Sequence, residues 1–159
     1  MQNSVTAYIE YFKGIADSHS KIRDFDYGDS ERILNRERTK IKYPFAWLEV
    51  PDFSPSQYEE EGTVVNGSLV VLHNVKKGDR KQTLKREEET YQIMKQYVSK
   101  LYHDNEQGEI ELLTSKIPIE PIASWSSDND LGWRINFSIL VESGCYEEDV
   151  NNGVWSETE

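Results

Sequence analysis

Apolar residues in the first part of the chain recur at helical spacing. In residues 3–17 they fall at the i, i+3, i+4, i+7 positions that line one face of a helix. These residues are Val5, Tyr8, Ile9, Phe12 and Ile15. The pattern predicts an amphipathic N-terminal helix, and the side chain of Asn3 or Ser4 is suited to cap its first turn.

A second and longer apolar stripe runs through residues 80–103. Asp79 and Gln82 form a D-x-x-Q pattern typical of a capping box, which marks where this helix begins. The stripe consists of Leu84, Tyr91, Met94, Val98 and Leu101. Residues 104–108 contain turn-forming residues and predict its end.

The clearest strand is residues 132–142, where apolar and polar residues alternate. Alternate residues share one face of a strand, so we expect its apolar positions to be buried together beneath the long helix. These positions are Trp133, Ile135, Phe137, Ile139 and Val141. Less regular runs predict strands at 41–50 and 109–117.

Turn signals divide the middle of the chain. Asn66 and Gly67 stand between β-branched runs in residues 63–75, which predicts a hairpin; a single long strand with a bulge is the alternative. Residues 51–62 carry two prolines and an acidic run, and predict an exposed loop. After the turn signal Gly28-Asp29, residues 30–40 fit either a short helix capped by Asp29 or Ser30, or a charged loop.

The order of these elements predicts the fold class. Strands mostly follow strands, with one helix before them and one between them, which favours an α+β fold. We expect two layers: a mostly antiparallel sheet, and on one face the N-terminal helix and the long crossing helix. Residues 1–144 would form a single domain, and 145–159 an acidic C-terminal tail or arm.

Charge excludes several functions. Lys plus Arg is 18 and Asp plus Glu is 29, which gives a formal net charge of −11. Sequence-independent nucleic-acid binding and docking on an anionic membrane both need a basic surface, so neither is expected. A single cysteine, Cys145, excludes an intrachain disulfide framework and a multi-cysteine zinc site.

Candidate catalytic and metal-binding residues are few. Asp24, Asp26 and Asp29 resemble a cation loop, but Gly28 is misplaced for an EF-hand, and a turn with solvated carboxylates explains them. The three histidines, His19, His73 and His103, lack a second ligand at metal-binding spacing. No nucleophile elbow or phosphate loop is present. We therefore expect neither an enzyme nor a metal or organic cofactor.

One dense group of positive charge stands out on this acidic chain. It consists of Lys76, Lys77, Arg80 and Lys81. We predict that this turn contacts an acidic segment of another copy, for which the first candidate is the run Glu59, Glu60 and Glu61. The alternative is an ordinary solvated turn.

Three patches carry a resemblance to a known group of proteins. They are HSKIRDFDYGD at 19–29, YPFAWLEV at 43–50 and DNDLGWRINFSILVE at 128–142. In these patches the chain resembles the tail-terminator, or tail-completion, proteins of tailed phages and the related ring proteins of phage necks. The matching residues are Phe25, Gly28, Asp29, Tyr43, Pro44, Trp47, Gly132, Trp133 and Phe137.

The resemblance implies a non-enzymatic structural protein of the virion, assembled in the host cytoplasm. Copies would form a ring around the DNA channel of the neck, between portal and tail proteins, with the genome passing nearby without specific binding and no membrane involved. Edge strands and loops would make the contacts between subunits, partly by β-augmentation. The charged insert at 30–40 and the acidic tail depart from the family pattern. The alternative is a small acidic adaptor or inhibitor that binds a basic protein.

Overall fold

The computed structural model describes residues 1–36, 38–57, 62–122, 129–143 and 151–153. Across these residues the α-helices are Val5–Ser18 (α1), Ser30–Asn35 (α2) and Arg80–Glu106 (α3). The strands are Asp24–Tyr27 (β1), Phe45–Leu48 (β2), Asp52–Pro55 (β3), Gly62–Asn74 (β4), Glu111–Leu112 (β5), Glu120–Ile122 (β6) and Asp130–Glu142 (β7). A 3₁₀ turn covers Arg38–Lys40.

The strands form one mixed sheet in the order β1-β2-β4-β7-β5. Among the described strands, only β1 and β2 run parallel. The long strands β4 and β7 pair antiparallel over their full length, while β2 and β3 follow one another along the far side of β4. In the same way β5 and β6 share the far side of β7. The α+β fold expected from the sequence, with an N-terminal helix and one long helix, is confirmed.

The main core lies between this sheet and the two longer helices. Tyr8 and Phe12 of α1 are fully buried, and the ring of Phe12 stacks on Phe137 of β7 with 4.7 Å between centroids. From α3, Met94 and Leu101 enter the same cluster. The hydroxyl of Tyr97 donates to the Phe12 carbonyl oxygen at 2.7 Å, which ties the helices together.

A smaller cluster covers part of the opposite face of the sheet. Ile33 of the short helix α2 packs against Phe45 and Trp47 of β2 and against Val70 and Leu72 of β4. Asp29 caps this helix by accepting a hydrogen bond from the Arg32 amide at 2.8 Å. The short helix, rather than the charged loop, is therefore the correct alternative for residues 30–35.

The hairpin predicted at Asn66 and Gly67 is wrong. Both residues lie inside β4 and pair in register with Ser138 and Phe137 of β7. Gly67 is a packing glycine, because a Cβ there would stand 2.6 Å from a ring carbon of Phe137. The turn-forming dipeptide is overridden by uninterrupted pairing on both sides of it.

Other predictions missed short strands or overestimated their length. Residues 51–62 contain the strand β3, which pairs with β4, and residues 24–27 form β1 where the sequence indicated no strand. The predicted strands at 41–50 and 109–117 shrink to four and two residues. These short strands exist because longer neighbours offer them hydrogen-bonding partners, which local sequence patterns do not record.

Two details of the long helix differ from the prediction. Leu84 belongs to the predicted stripe but is 55% exposed, whereas Met94, Val98 and Leu101 are buried. Asp79 does cap the helix, accepting from the Gln82 amide at 2.9 Å. The Gln82 side chain, however, accepts from the Lys76 amide at 2.6 Å, so this capping box is not reciprocal.

The alternation in β7 is confirmed. Ile135, Phe137, Ile139 and Val141 are buried in the main core, and Trp133 is partly buried against it. Several predictions fall outside the described residues: those for Glu59, Glu60 and Glu61, for Cys145, and for most of the segment 145–159.

We expect Phe137→Ala to lower the free energy of unfolding by about 3–5 kcal/mol, because the ring is 3% exposed and stacked on Phe12. Leu84→Ala serves as the matched control and should change it by less than about 0.5 kcal/mol. Urea titration followed by circular dichroism measures both values. A loss below about 1 kcal/mol for Phe137→Ala would contradict the packing described here.

Candidate functional site

The predicted contact residues Lys76, Lys77, Arg80 and Lys81 lie on an exposed turn. This basic turn, residues 76–81, connects β4 to α3, and Gly78 adopts the left-handed backbone (φ +82°) that lets the chain reverse. Within the described part of the chain, none of the four cationic side chains forms an ion pair. Their charge is therefore directed to solvent or to a partner.

An acidic groove lies at the opposite end of the sheet. Its volume is about 880 Å³, and the exposed residues Glu109, Glu111 and Glu142 line it. The N-terminal amino group of Met1 donates to the Glu109 carbonyl oxygen at 3.1 Å at the same place. The predicted run at residues 59–61 immediately precedes Gly62, the first residue of β4, but lies outside the described residues.

These two charged ends are far apart within one copy. β4 has 13 residues, which span roughly 40 Å at 3.3 Å per residue. Its last residue, Asn74, leads into the basic turn, and its first, Gly62, pairs with Glu142 of the acidic groove. α3 covers a similar length, since 27 residues at 1.5 Å each also span roughly 40 Å. The basic turn cannot therefore reach the acidic groove of its own chain.

The charged residues at each end of α3 have the same sign as the helix-dipole charge at that end. A helix is stabilised by acidic residues at its N-terminus and basic residues at its C-terminus. Apart from the cap Asp79, the first turn of α3 has no acidic residue, and Arg80 and Lys81 stand there. Glu106 ends the helix, with Glu109 just beyond it. Among the described residues, positive charge thus gathers at the basic turn and negative charge at the acidic groove.

The residues that carry the family resemblance hold the three patches together. The Trp47 indole N–H donates to the Gly28 carbonyl oxygen at 2.8 Å and joins the first patch to the second. The Tyr43 hydroxyl donates to the Asp130 carboxylate at 3.1 Å and joins the second to the third. Arg134 pairs with Glu49 between the same two patches. The matched positions therefore have structural roles.

Gly132 and Trp133, in the third patch, also have structural roles. A side chain at position 132 would overlap the Val71 carbonyl, so only glycine fits at this point of the β4–β7 pairing. The Trp133 indole N–H donates to the Glu87 carbonyl oxygen at 3.0 Å and fixes β7 against α3.

Two of the aspartates that resemble a cation loop form hydrogen bonds and ion pairs within the fold. Asp24 and Asp26 lie in β1, not in a turn, and their carboxylates accept from the amides of Phe25 (2.9 Å) and Tyr27 (2.8 Å). The Arg36 guanidinium pairs with Asp24 at 2.8 Å. Among the described residues, no group of three or more His, Cys, Asp and Glu side chains is placed to hold a metal ion.

A polar groove of about 760 Å³ opens on the face of the sheet opposite α1 and α3, beside the start of α2. At its floor the Ser68 hydroxyl donates to the Asn136 side-chain oxygen, and the Ser138 hydroxyl donates to that of Asn66, both at 2.6 Å. These hydroxyls are bonded to amide oxygens, which are too weakly basic to activate a nucleophile. The floor of the groove thus presents hydrogen-bonding groups.

A buried titratable cluster surrounds His73, one of the three histidines considered as ligands. Its Nδ1 contacts the Asn74 carbonyl oxygen at 3.0 Å, its ring stacks on Tyr43 at 5.6 Å, and its Nε2 lies 3.9 Å from Glu89. Burial lowers the pKa of the His73 imidazole below its usual 6.5. Arg86 adds to this lowering, while the Asn74 carbonyl, Glu89 and Asp130 oppose it.

Sequence reasoning located the basic turn but missed the acidic groove. Glu109 and Glu111 lie about thirty residues before Glu142, and the pairing of β5 with β7 brings them together. Charge runs are visible in a sequence, whereas charges gathered by strand pairing are not. Among the described residues, no helix is long and apolar enough to cross a membrane.

Comparisons with known proteins return no match, whether with family models, curated proteins or solved structures.

We expect the free energy of unfolding to fall as the pH drops from about 7.5 to 5.5, in part because of His73. Its folded-state pKa lies below 6.5, so the unfolded chain binds the proton more readily and gains stability as the pH falls through that range. His73→Gln removes this contribution and should flatten the pH dependence. Urea titrations across this range measure it, and parallel curves for the two proteins would contradict the expectation.

Proposed function

We propose that this protein is a structural virion subunit of a tailed phage, a tail-terminator or neck protein that joins portal and tail as a ring around the DNA channel. The phage context rests on the resemblance in residues 19–29, 43–50 and 128–142. Assembly into a ring rests on one observation, the opposite charge at the two ends of each copy.

Contacts within the chain support reading the three patches as the signature of a single fold. The first two patches form the parallel β1–β2 ladder, and the bond from Tyr43 to Asp130 links the second to the third. A pattern whose members bond to one another marks a scaffold. An active site would instead direct such residues towards a substrate.

The separation of charge favours head-to-tail assembly. The basic turn and the acidic groove lie at opposite ends, so the contact between two copies would join two different surfaces. Such heterologous contacts produce closed rings when the rotation between copies closes, and open filaments otherwise. A ring subunit needs a contact of this kind.

The β1 edge of the sheet offers less to a neighbour. The amides of Phe25 and Tyr27 in β1 already donate to the carboxylates of Asp24 and Asp26, so added strands would have to displace them. Charged side chains at an edge are a common device against strand-to-strand pairing. We therefore assign assembly to the charged ends rather than to β-augmentation at β1.

The net charge suits a channel through which DNA passes. A formal charge of −11 makes non-specific attraction to phosphates weak, because few counterions are released on contact. DNA is then able to move past the ring without being retained.

We expect replacement of Lys76, Lys77, Arg80 and Lys81 by Glu to dissociate the oligomer at low salt. The reversed turn would face a neighbour's carboxylates, so attraction becomes repulsion. Size-exclusion chromatography with light scattering measures the mass, and electron microscopy shows whether the wild-type particles are rings.

A matched control separates this local effect from net charge. Replacing Lys21, Lys42, Lys95 and Lys116 by Glu changes the total charge equally at other exposed positions and should leave the mass unchanged. An unchanged mass for the basic-turn variant would contradict the proposed head-to-tail contact. A wild-type protein that remains monomeric at all concentrations would favour the acidic adaptor instead.

A further inference from the structure

We propose that the acidic segment 145–159 of one copy docks in a groove beside the basic turn of the next copy, with Trp155 as its apolar anchor. This inference rests on the head-to-tail assembly proposed above and names the segment that strengthens it. The groove lies between the basic turn, β6 and the start of β7, and we call it the Trp133 groove.

The Trp133 groove combines positive charge with an apolar floor. Its volume is about 380 Å³, near the low end of the range for small-ligand sites and sufficient for one large side chain. The cationic wall is formed by Lys76 and Lys77, and the apolar surface by Ile122, Leu131 and Trp133. Among the described residues that line it, Glu87 is the one acidic residue.

Trp133 gives this groove a fixed surface. Its indole N–H donates to the Glu87 carbonyl oxygen at 3.0 Å, and its ring lies 5.1 Å from that of Tyr91. The indole is therefore held in place while part of it remains accessible. A rigid, partly exposed aromatic surface is a suitable seat for another aromatic side chain.

The segment has the complementary chemistry. Residues 145–159 contain five acidic residues and no basic residue, and they include the apolar pair Val154 and Trp155. Glu157 and Glu159 follow that pair closely, so carboxylates would reach Lys76 and Lys77 when the indole is seated. Trp is among the residues that most often dominate binding energy at protein interfaces.

The point at which the segment leaves the fold favours a neighbouring copy over its own. β7 ends at Glu142, which pairs with Gly62 at the acidic end of the sheet, roughly 40 Å from the pair Asn74 and Asp130 beside the groove. The thirteen steps from residue 142 to 155 span at most about 43–47 Å when fully extended. Residues 151–153 form a turn with Gly153 at φ +73°, which shortens that reach.

Head-to-tail packing removes this difficulty. It brings the acidic end of one copy, where the segment emerges, to the basic turn of the next. The segment would then need to cross only the contact itself, and its tethering would raise its local concentration at the groove.

A peptide experiment tests the groove directly. A fluorescein-labelled peptide of residues 145–159 is titrated with a variant of the whole chain that we call the segment variant. This variant carries Trp155→Ala, Glu157→Gln and Glu159→Gln, so its own C-terminal segment does not compete with the peptide. We expect saturable binding in fluorescence anisotropy at low salt. Adding Lys76→Glu and Lys77→Glu to the protein should weaken it at least about tenfold.

Two controls make the peptide result specific. Lys21→Glu with Lys116→Glu changes the protein charge equally and should leave the affinity unchanged, whereas a peptide with Trp155→Ala should bind weakly. Equal binding to the Lys76 and Lys77 variant would overturn the proposal. Absence of binding would also overturn it.

Mixing variants tests whether docking occurs between copies. The groove variant, with Lys76→Glu and Lys77→Glu alone, and the segment variant should each fail to form the full ring. Their equimolar mixture should contain a species with the mass of two chains in light scattering, because one intact segment meets one intact groove. If the mixture contains only the species found in the two separate samples, docking between copies is contradicted.

The same measurements separate this inference from the proposed function. If the segment variant forms the same ring as the wild-type protein, segment docking is excluded. Head-to-tail assembly still stands in that case, provided that the four-residue reversal of the basic turn dissociates the ring.

Discussion

The pairing of β4 with β7 is the interaction on which the rest of the structure depends. It runs without a bulge from Gly62 opposite Glu142 to Asn74 opposite Asp130. Every other strand attaches to one of these two directly or through β2, and α3 packs across both. A slip of one residue would exchange the core face with the solvent face. Gly67 and Gly132 allow the close packing along this pair, because side chains at either place would collide with their neighbours.

The sequence predicted the elements that are long and periodic. α3 and β7 repeat their pattern often enough to identify both the element and its buried face, and the caps Ser4 and Asp79 act where the pattern placed them. The hairpin at Asn66 and Gly67 was wrong because a local turn preference competes with ladder hydrogen bonds on both sides. β1 and β3 were missed because each is four residues long and depends on a partner distant in sequence.

The candidate contact surfaces also differ in how far the sequence predicts them, because only one of them is continuous in sequence. The basic turn is continuous in sequence, so its charge was apparent. The acidic groove depends on the pairing of β5 with β7, and the Trp133 groove on the meeting of β6, β7 and the turn after β4. The charges at the two ends of α3 cost the isolated helix some stability. Placement of charge against local stability is a common sign of a functional surface.

The length of β4 also determines how an assembly would grow. Electrostatic influence decays over about 8 Å at physiological ionic strength, whereas the two charged ends are roughly 40 Å apart. In the proposed assembly, the charge at one end would therefore not be felt at the other, and each copy would join an open chain with the same affinity as the copy before it. Only the last copy would make two contacts at once, the second at the high effective concentration of a tethered partner. Closed rings would therefore outlast open chains as soon as the curvature of the chain lets its ends meet.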